Sequence, residues 1–371
     1  MIAVVRAVCR PFLQDRLLHV LLLLAVVLTL WHPDAVRDYP QWVNWTTIMT
    51  LAGLMLLTKG IEVSGYLDHA GRRILGRLRH ERPLALFLVS AAAVLSTVLT
   101  NDIALFIAVP LTLGLRNVAA LPVSRLIIFE ALAVNAGSLL TPIGNPQNIL
   151  LWQQSHLSFA AFTLQMAPLA AAVFGVLLVL TLLAFPNEEI EVRLNAETGH
   201  WDTRQMTVCA VLYPGFVLAL EFGHAGPGLV AVIAVLLLLY RRLLVTVDWS
   251  LIAVFILMFI DIRLLTGLSL LRPALDAIAG YSDVQILWAG LLGSQVISNV
   301  PATILLLKYL PASKVIAYAV NAGGFGLVLG SLANLIALRM ANERKIWLQF
   351  HYYSMPMLII GGVLAWLLLD L

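Results

Sequence analysis

Charge is what this sequence has least of. Asp, Glu, Lys and Arg make up 12% of its 371 residues, while 61% are hydrophobic. A soluble domain carries about 25% charged residues, and no polar stretch here is long enough to stand alone as a soluble domain. The net charge of +3 says little about partners, because the distribution of positive charge matters more than its sum, and no nucleic acid partner is expected. Cysteine is equally scarce. Cys9 and Cys209 provide neither a disulfide framework nor a metal-ligand spacing. Enzyme signatures are missing too. His80-Glu81-Arg82-Pro83 lacks the second histidine of a zinc-protease helix, and there is no phosphate-binding loop and no Gly-x-Ser-x-Gly elbow. No cofactor is expected, and a membrane enzyme is the weaker alternative. The apolar run that follows Arg6, Arg10 and Arg16 ends without a small-residue cleavage site, which predicts a retained first span rather than a signal peptide.

What is present is a succession of apolar runs. At about 20 residues per crossing, the pattern predicts an all-α polytopic membrane protein. Its spans fall near 15–32, 42–66, 125–151, 160–185, 205–222, 226–243, 248–268, 314–339 and 346–369. Two further runs, 84–115 and 284–310, carry polar centres at Thr100-Asn101-Asp102 and Ser298-Asn299. Each has the length of two half-helices and is expected to be a re-entrant hairpin. With the N-terminus cytoplasmic and the C-terminus outside, most of the 23 Lys and Arg fall on the inside, among them Arg72, Arg73, Arg77, Arg79, Arg82, Arg116, Arg125, Arg193 and Arg344. Arg37, Arg272, Lys308 and Lys314 fall outside. Counting 84–115 as one crossing would destroy that bias. The acidic stretch 186–204 reads as a cytoplasmic linker between two halves.

The halves repeat. Val43-Asn44-Trp45-Thr46 matches Val247-Asp248-Trp249-Ser250, Thr100-Asn101 matches Ser298-Asn299, and Val134-Asn135-Ala136-Gly137 matches Val320-Asn321-Ala322-Gly323. In the last alignment Gly144 meets Gly330, Asn145 meets Ser331, and Asn148 meets Asn334. Five crossings and a hairpin in the second half make the repeats inverted, residues 1–185 against 205–371, with one leading helix lacking from the first. Inverted repeats with paired broken helices point to a secondary transporter with its site at the midplane.

The two breaks carry the chemistry. Residues 134–151 hold Gly137, Pro142, Gly144 and Pro146, which one continuous helix cannot contain. They also hold Asn135, Asn145, Gln147 and Asn148, costly in hydrocarbon unless they face protein, water or solute. Asn145 before Pro146 is an N-cap, and Ser331 is its counterpart. With the tips at Asn101 and Asn299, four helix N-termini then converge, a setting for an anion. Asp102 stands where the second tip has Val300, and it is expected to couple transport to protons or sodium; capping the following half-helix is the alternative. Asp261, Arg263, Lys59 and Glu62 are expected to serve structure, Glu130 is open, and His156 and His224 are expected to be solvated. The tryptophans at 31, 42, 45, 152, 249 and 347 suit an interfacial belt.

These motifs also resemble a known group. Thr-Asn-Asp at 100–102, Thr-Pro-Ile-Gly-Asn-Pro-Gln-Asn at 141–148, Ser-Asn-Val-Pro-Ala-Thr at 298–303, and Asn-Ala-Gly-Gly with Gly-Ser-Leu-Ala-Asn across 321–334 resemble the ion transporter superfamily. Within it they are similar to anion permeases related to arsenite permeases, citrate transporters and divalent anion–sodium symporters. The resemblance implies a homodimer in the cytoplasmic membrane, with a scaffold domain and an elevator-like transport domain that moves a small anionic solute. Arsenite-type efflux and sodium–proton antiport are the alternatives. Carried over by position, it implies ligand or ion contacts from Thr100, Asn101, Asn135, Gly137, Ser138, Thr141, Gly144, Asn145 and Asn148 in the first half, to which the coupling candidate Asp102 is added from its own chemistry. In the second half it implies Ser298, Asn299, Thr303, Asn321, Gly323, Gly330, Ser331 and Asn334. Asp102, and the lack of a hydroxyl residue directly after Asn299, set the chain apart from the dicarboxylate symporters.

Overall fold

The computed structural model describes residues 11–13, 15–31, 33–66, 78–115, 121–190, 201–268, 272–341, 343 and 345–370. Cys9, Arg6, Arg10, Arg72, Arg73, Arg77, Arg116, Arg193 and Arg344 lie outside them, as do residues 191–200 of the expected linker and the side chain of Glu62.

In chain order the main helices are α1 (Arg16–Trp31), α2 (Trp45–Val63), α3 (Glu81–Val98), α4 (Asn101–Leu115), α5 (Val123–Ser138), α6 (Pro146–Ser155), α7 (Phe159–Ala184) and α8 (Thr203–Glu221). They continue with α9 (Ala225–Tyr240), α10 (Trp249–Gly267), α11 (Asp283–Ile297), α12 (Asn299–Tyr309), α13 (Lys314–Ala322), α14 (Leu332–Ala341) and α15 (Ile346–Leu368). Five of them, α3, α7, α8, α10 and α15, are long and apolar enough to cross a membrane, and four shorter apolar helices cover Leu17–Trp31, Trp45–Ile61, Asn101–Leu113 and Ala225–Tyr240. Side chains such as Leu183 (79% exposed), Leu238 (82%) and Leu30 (78%) would be a heavy apolar load on a surface meeting water. The protein is an all-α, multi-pass membrane protein. The two spans expected to break do so, at 139–145 and at 323–331. Helix α3 has the length and composition of a full span, longer than the half-helix expected for the first arm of a hairpin.

The chain forms two compact units. One takes the described residues within Met1–Val63, Arg204–Gly280 and Lys308–Leu310. In it α1 packs on α10 and α2 on α9. The repeated Trp45 and Trp249 make the same local bond, each indole N–H donating to the carbonyl five residues earlier, Pro40 and Leu244, at 2.8 Å. Asp261 is buried on α10, and neither carboxylate oxygen has a hydrogen-bond partner among the described residues. It therefore forms no hydrogen-bonded pair with another helix among the described residues, and Arg263, two residues on, is exposed.

The other unit takes the described residues within Ser64–Thr203, Tyr281–Leu307 and Pro311–Leu371. Here each tip helix packs against a broken helix: α3 on α5, and α11 on α13. Glycine permits both contacts. A Cβ on Gly137 would lie 2.0 Å from the Ala93 carbonyl oxygen, and one on Gly323 would lie 2.6 Å from Ser294 Cβ. The last carbonyls of α7 and the residue after it are satisfied by arginines. Arg125 donates to Ala184 O at 2.6 Å and Arg82 to Phe185 O at 2.9 Å, which supplies both acceptor demand and the favoured charge at a helix C-terminus. Trp152, expected in the interfacial belt, is buried and donates to Leu157 O at 2.9 Å. Its indole is needed to close the end of α6. His156 and His224 are exposed, as expected.

Candidate functional site

The site grows from the first break. Asn145 adopts extended backbone, and its side-chain oxygen accepts from Asn148 N at 2.9 Å, with Pro146 opening α6. This is the expected N-cap: Asn supplies the acceptor, and Pro loses nothing where no carbonyl waits for its N–H. The Asn148 amide then donates back to Ser138 O, Leu139 O and Thr141 O, at 3.3, 3.1 and 3.0 Å. One side chain thus satisfies three carbonyls left open where α5 ends. Gly144 makes the return possible, because a Cβ there would meet Ser138 O at 2.2 Å. Its own carbonyl accepts from Asn101 N at 2.8 Å, which ties the first tip to the first break.

The second break starts in the same way and differs at its restart. Asn321 donates to Ala317 O at 2.8 Å, as Asn135 does to Ala131 O at 3.1 Å. Asn334 donates to Gly324 O at 3.0 Å, the bond that corresponds to Asn148 with Ser138 O. Ser331, however, does not cap α14 through its hydroxyl. Asn334 N donates to the Ser331 backbone oxygen at 3.1 Å, and the hydroxyl has no hydrogen-bond partner among the described residues. A serine side chain is one atom shorter than asparagine, and here the backbone carbonyl has taken its place.

The two breaks are joined by reciprocal amides. Asn135 Nδ2 donates to Asn334 Oδ1, and Asn321 Nδ2 donates to Asn148 Oδ1, both at 2.7 Å. Asn321 Oδ1 also accepts from Asn145 at 3.0 Å and from Gln147 at 3.4 Å. All five asparagines are at most 5% exposed. Amides buried this deeply are stable only when paired.

Other expected residues face backbone. Thr141 donates to Thr97 O at 2.7 Å and closes the end of α3, while Thr303 donates to Asn299 O at 2.7 Å on its own helix. Thr100 is buried, and its carbonyl starts α4 by accepting from Ile103 N and Ala104 N. Gly330 lies beside Gly323, where a Cβ would sit 2.7 Å from its carbonyl oxygen. Asn101 Oδ1 accepts from Asp102 N at 2.9 Å, and Asp102 is 5% exposed in the first turn of α4. Glu130 is fully buried on α5, where Thr112 of α4 donates to it.

Ser298 sits between α11 and α12 at φ 73° and ψ 155°, a conformation held almost only by glycine. Strain of this kind concentrates at binding tips and switches. The Ser298 hydroxyl and the Asn299 side-chain nitrogen are buried without hydrogen-bond partners among the described residues. Sequence reasoning missed Gln295. Its amide donates to Gly323 O at 2.7 Å and accepts from Leu327 N at 2.8 Å, holding the irregular stretch in place. The available signal was a lone amide one turn before the tip.

The amide cluster lies buried at two helix breaks, and comparison with known proteins shows the family in which it occurs. The citrate transporter family model matches residues 15–314. The chain belongs to this family. It is accordingly a membrane transporter of the ion transporter superfamily, related to arsenite-permease and citrate-transporter types, and not an enzyme. It is 53% identical to the inner membrane protein YbiR of Escherichia coli, over 97% of this chain and 98% of that protein. It is 32% identical to the uncharacterized transporter MJ0456 of Methanocaldococcus jannaschii, over 87% and 86% of the two chains. The silicon efflux transporter LSI3 of Oryza sativa is 28% identical over 45% of this chain and 34% of its own.

Proposed function

We propose that this family member is a secondary active transporter of a small anionic solute, coupled to protons or sodium, that works by elevator-type alternating access in the cytoplasmic membrane. The carrying observation is the amide cluster at the two breaks together with three donors that have no hydrogen-bond partner among the described residues, Ser298 Oγ, Asn299 Nδ2 and Ser331 Oγ. A purely structural cluster would satisfy its own members, whereas a solute site must keep some donors for its cargo.

The reciprocal bonds Asn135–Asn334 and Asn148–Asn321 support an architecture of two inverted repeats, 1–185 and 205–371, joined by the linker 186–204, with hairpins 84–115 and 284–310. Each compact unit draws segments from both halves of the sequence, which supports a scaffold unit and a transport unit. The superfamily resemblance adds a homodimer, and the name of the Escherichia coli relative adds the inner membrane. A cytoplasmic N-terminus and an outside C-terminus follow from the arginine distribution.

A second reading is efflux of an arsenite-type oxyacid. Asp102 in the first tip favours it, as do relatives named a silicon efflux transporter and the putative transporter arsB of Dictyostelium discoideum.

Asp102 is the coupling candidate under both readings. In proteoliposomes, Asp102→Asn is expected to keep solute exchange between equal concentrations and to lose accumulation driven by a proton or sodium gradient. Unchanged gradient-driven accumulation would remove Asp102 from coupling.

A further inference from the structure

The two breaks are built from matching residues, so the places where the match fails are informative. Under the register that pairs Asn135 with Asn321 and Asn148 with Asn334, Ser138 corresponds to Gly324 and Asn145 to Ser331. In the first break, Ser138 Oγ accepts from Asn145 Nδ2 at 3.2 Å and donates to Asn135 O at 3.3 Å. These hydroxyl and amide groups of the first break therefore satisfy each other, and the break residue left with an unpartnered atom among the described residues, Gln147, leaves an acceptor, Oε1, and no donor. In the second break Gly324 has no hydroxyl to offer, and Ser331 Oγ, 1% exposed, has no partner among the described residues.

The tips differ in the same sense. Asn101 is tied through N–H to Gly144 O, and its side-chain oxygen accepts from Asp102 N. In the second tip Ser298 Oγ and Asn299 Nδ2, in residues 7% and 2% exposed, have no hydrogen-bond partner among the described residues. The Asn299 amide is close to the glycine: a Cβ on Gly324 would stand 3.3 Å from Asn299 Nδ2 and 3.5 Å from Asn135 Oδ1. A larger side chain at 324 would thus crowd the unsatisfied Asn299 amide.

We propose that the solute is held at the second break alone, by Asn299 Nδ2, Ser298 Oγ and Ser331 Oγ beside Gly324, and that the first break is a closed latch. Asn299 Nδ2 can only donate and the two hydroxyls donate readily, so they receive oxygen atoms. The helices α12 and α14 begin at Asn299 and directly after Ser331, which adds partial positive charge. No lysine or arginine is hydrogen-bonded to any of these groups among the described residues; Lys308, further along α12, donates to Thr266. Full charges buried without a counter-ion are costly. The solute is therefore a small oxyacid that is uncharged or carries a single negative charge. This rests on the transporter reading above; it excludes multiply charged anions and admits the neutral oxyacid of the second reading.

The test uses the purified full-length protein in lipid nanodiscs at pH 7, with six probes: arsenite, silicic acid, nitrate, acetate, sulfate and citrate. At least one of the first four should raise the unfolding midpoint, since binding to the folded state stabilises by mass action. A shift with sulfate or citrate alone overturns the charge class, and no shift with any probe overturns the substrate class. With a binding probe in hand, Ser331→Ala should leave the empty protein as stable as wild type, because an orphan hydroxyl contributes no bond, and should weaken the probe about tenfold, one lost hydrogen bond to solute. Gly324→Ser combined with Ser331→Asn rebuilds the pair of the first break and should abolish the shift, while Ser138→Gly should retain it. If Ser138→Gly abolishes binding and Ser331→Ala leaves it unchanged, the asymmetric site is wrong. Uptake of the same probe by wild-type proteoliposomes would then show that the transporter reading still stands.

Discussion

Asn321 offers the most direct test of the clasp between the breaks. It donates to Asn148 Oδ1 and accepts from Asn145 and Gln147. Asn321→Ala leaves Asn148 Oδ1 and Gln147 Nε2 buried without these partners, while Asn145 keeps Ser138. At about 1–3 kcal/mol for each buried polar group left unsatisfied, the loss would be about 2–6 kcal/mol. Interhelical hydrogen bonds in membranes average about 0.6 kcal/mol, with a maximum near 1.7, which places the expectation at about 2–4 kcal/mol. Asn148→Ala should cost at least as much, since it also strands the carbonyls of Ser138, Leu139 and Thr141. The informative quantity is the coupling between the two substitutions. A double-mutant cycle, read from reversible unfolding in mixed detergent micelles by tryptophan fluorescence, should give about 1 kcal/mol for Asn148 with Asn321. Asn135 with Asn334, joined by a bond of equal length, should give a similar value. Additivity within about 0.3–0.5 kcal/mol in both cycles would refute the clasp.

Two other predictions test local geometry. Gly137→Ala places a Cβ 2.0 Å from the Ala93 backbone oxygen and should cost about 1–3 kcal/mol through overpacking. Gly175→Ala, on α7 with nothing within 4 Å, should gain up to about 1 kcal/mol from helix propensity. The unfolding midpoints of the two variants should move in opposite directions. Ser298→Gly should relieve about 1–3 kcal/mol of backbone strain at φ 73°, in part offset by the entropy of glycine. It should stabilise the empty protein while lowering solute uptake, and a destabilised variant with normal uptake would contradict both halves of that statement.

Much of the fold was legible in the residues because the bilayer imposes a length on every span. The expected crossings at 205–222 and 248–268 correspond to α8 and α10 within a few residues. The breaks were legible because Gly137, Pro142, Gly144 and Pro146 cannot share a helix. Pairing was not legible. The motif alignment matched Asn145 with Ser331 and predicted an N-cap at each, yet only Asn145 caps with its side chain. Gln295 and Trp152 were misjudged for the same reason: a side chain's role depends on which carbonyl lies within reach, and that carbonyl can be far away in the chain.

The sequence by itself determined that this chain lives in a membrane, where its helices break, and which polar residues occur at the breaks. Hydrophobic length and backbone stereochemistry are local properties, so composition and motif carry them. Only the tertiary structure decided that Asn135 meets Asn334 while Asn148 meets Asn321, and that the Ser138 hydroxyl has a partner while that of Ser331 has none among the described residues. Hydrogen bonds between residues far apart in sequence form only when packing brings donor and acceptor within about 3 Å. That step makes two matching motifs unequal in their bonding.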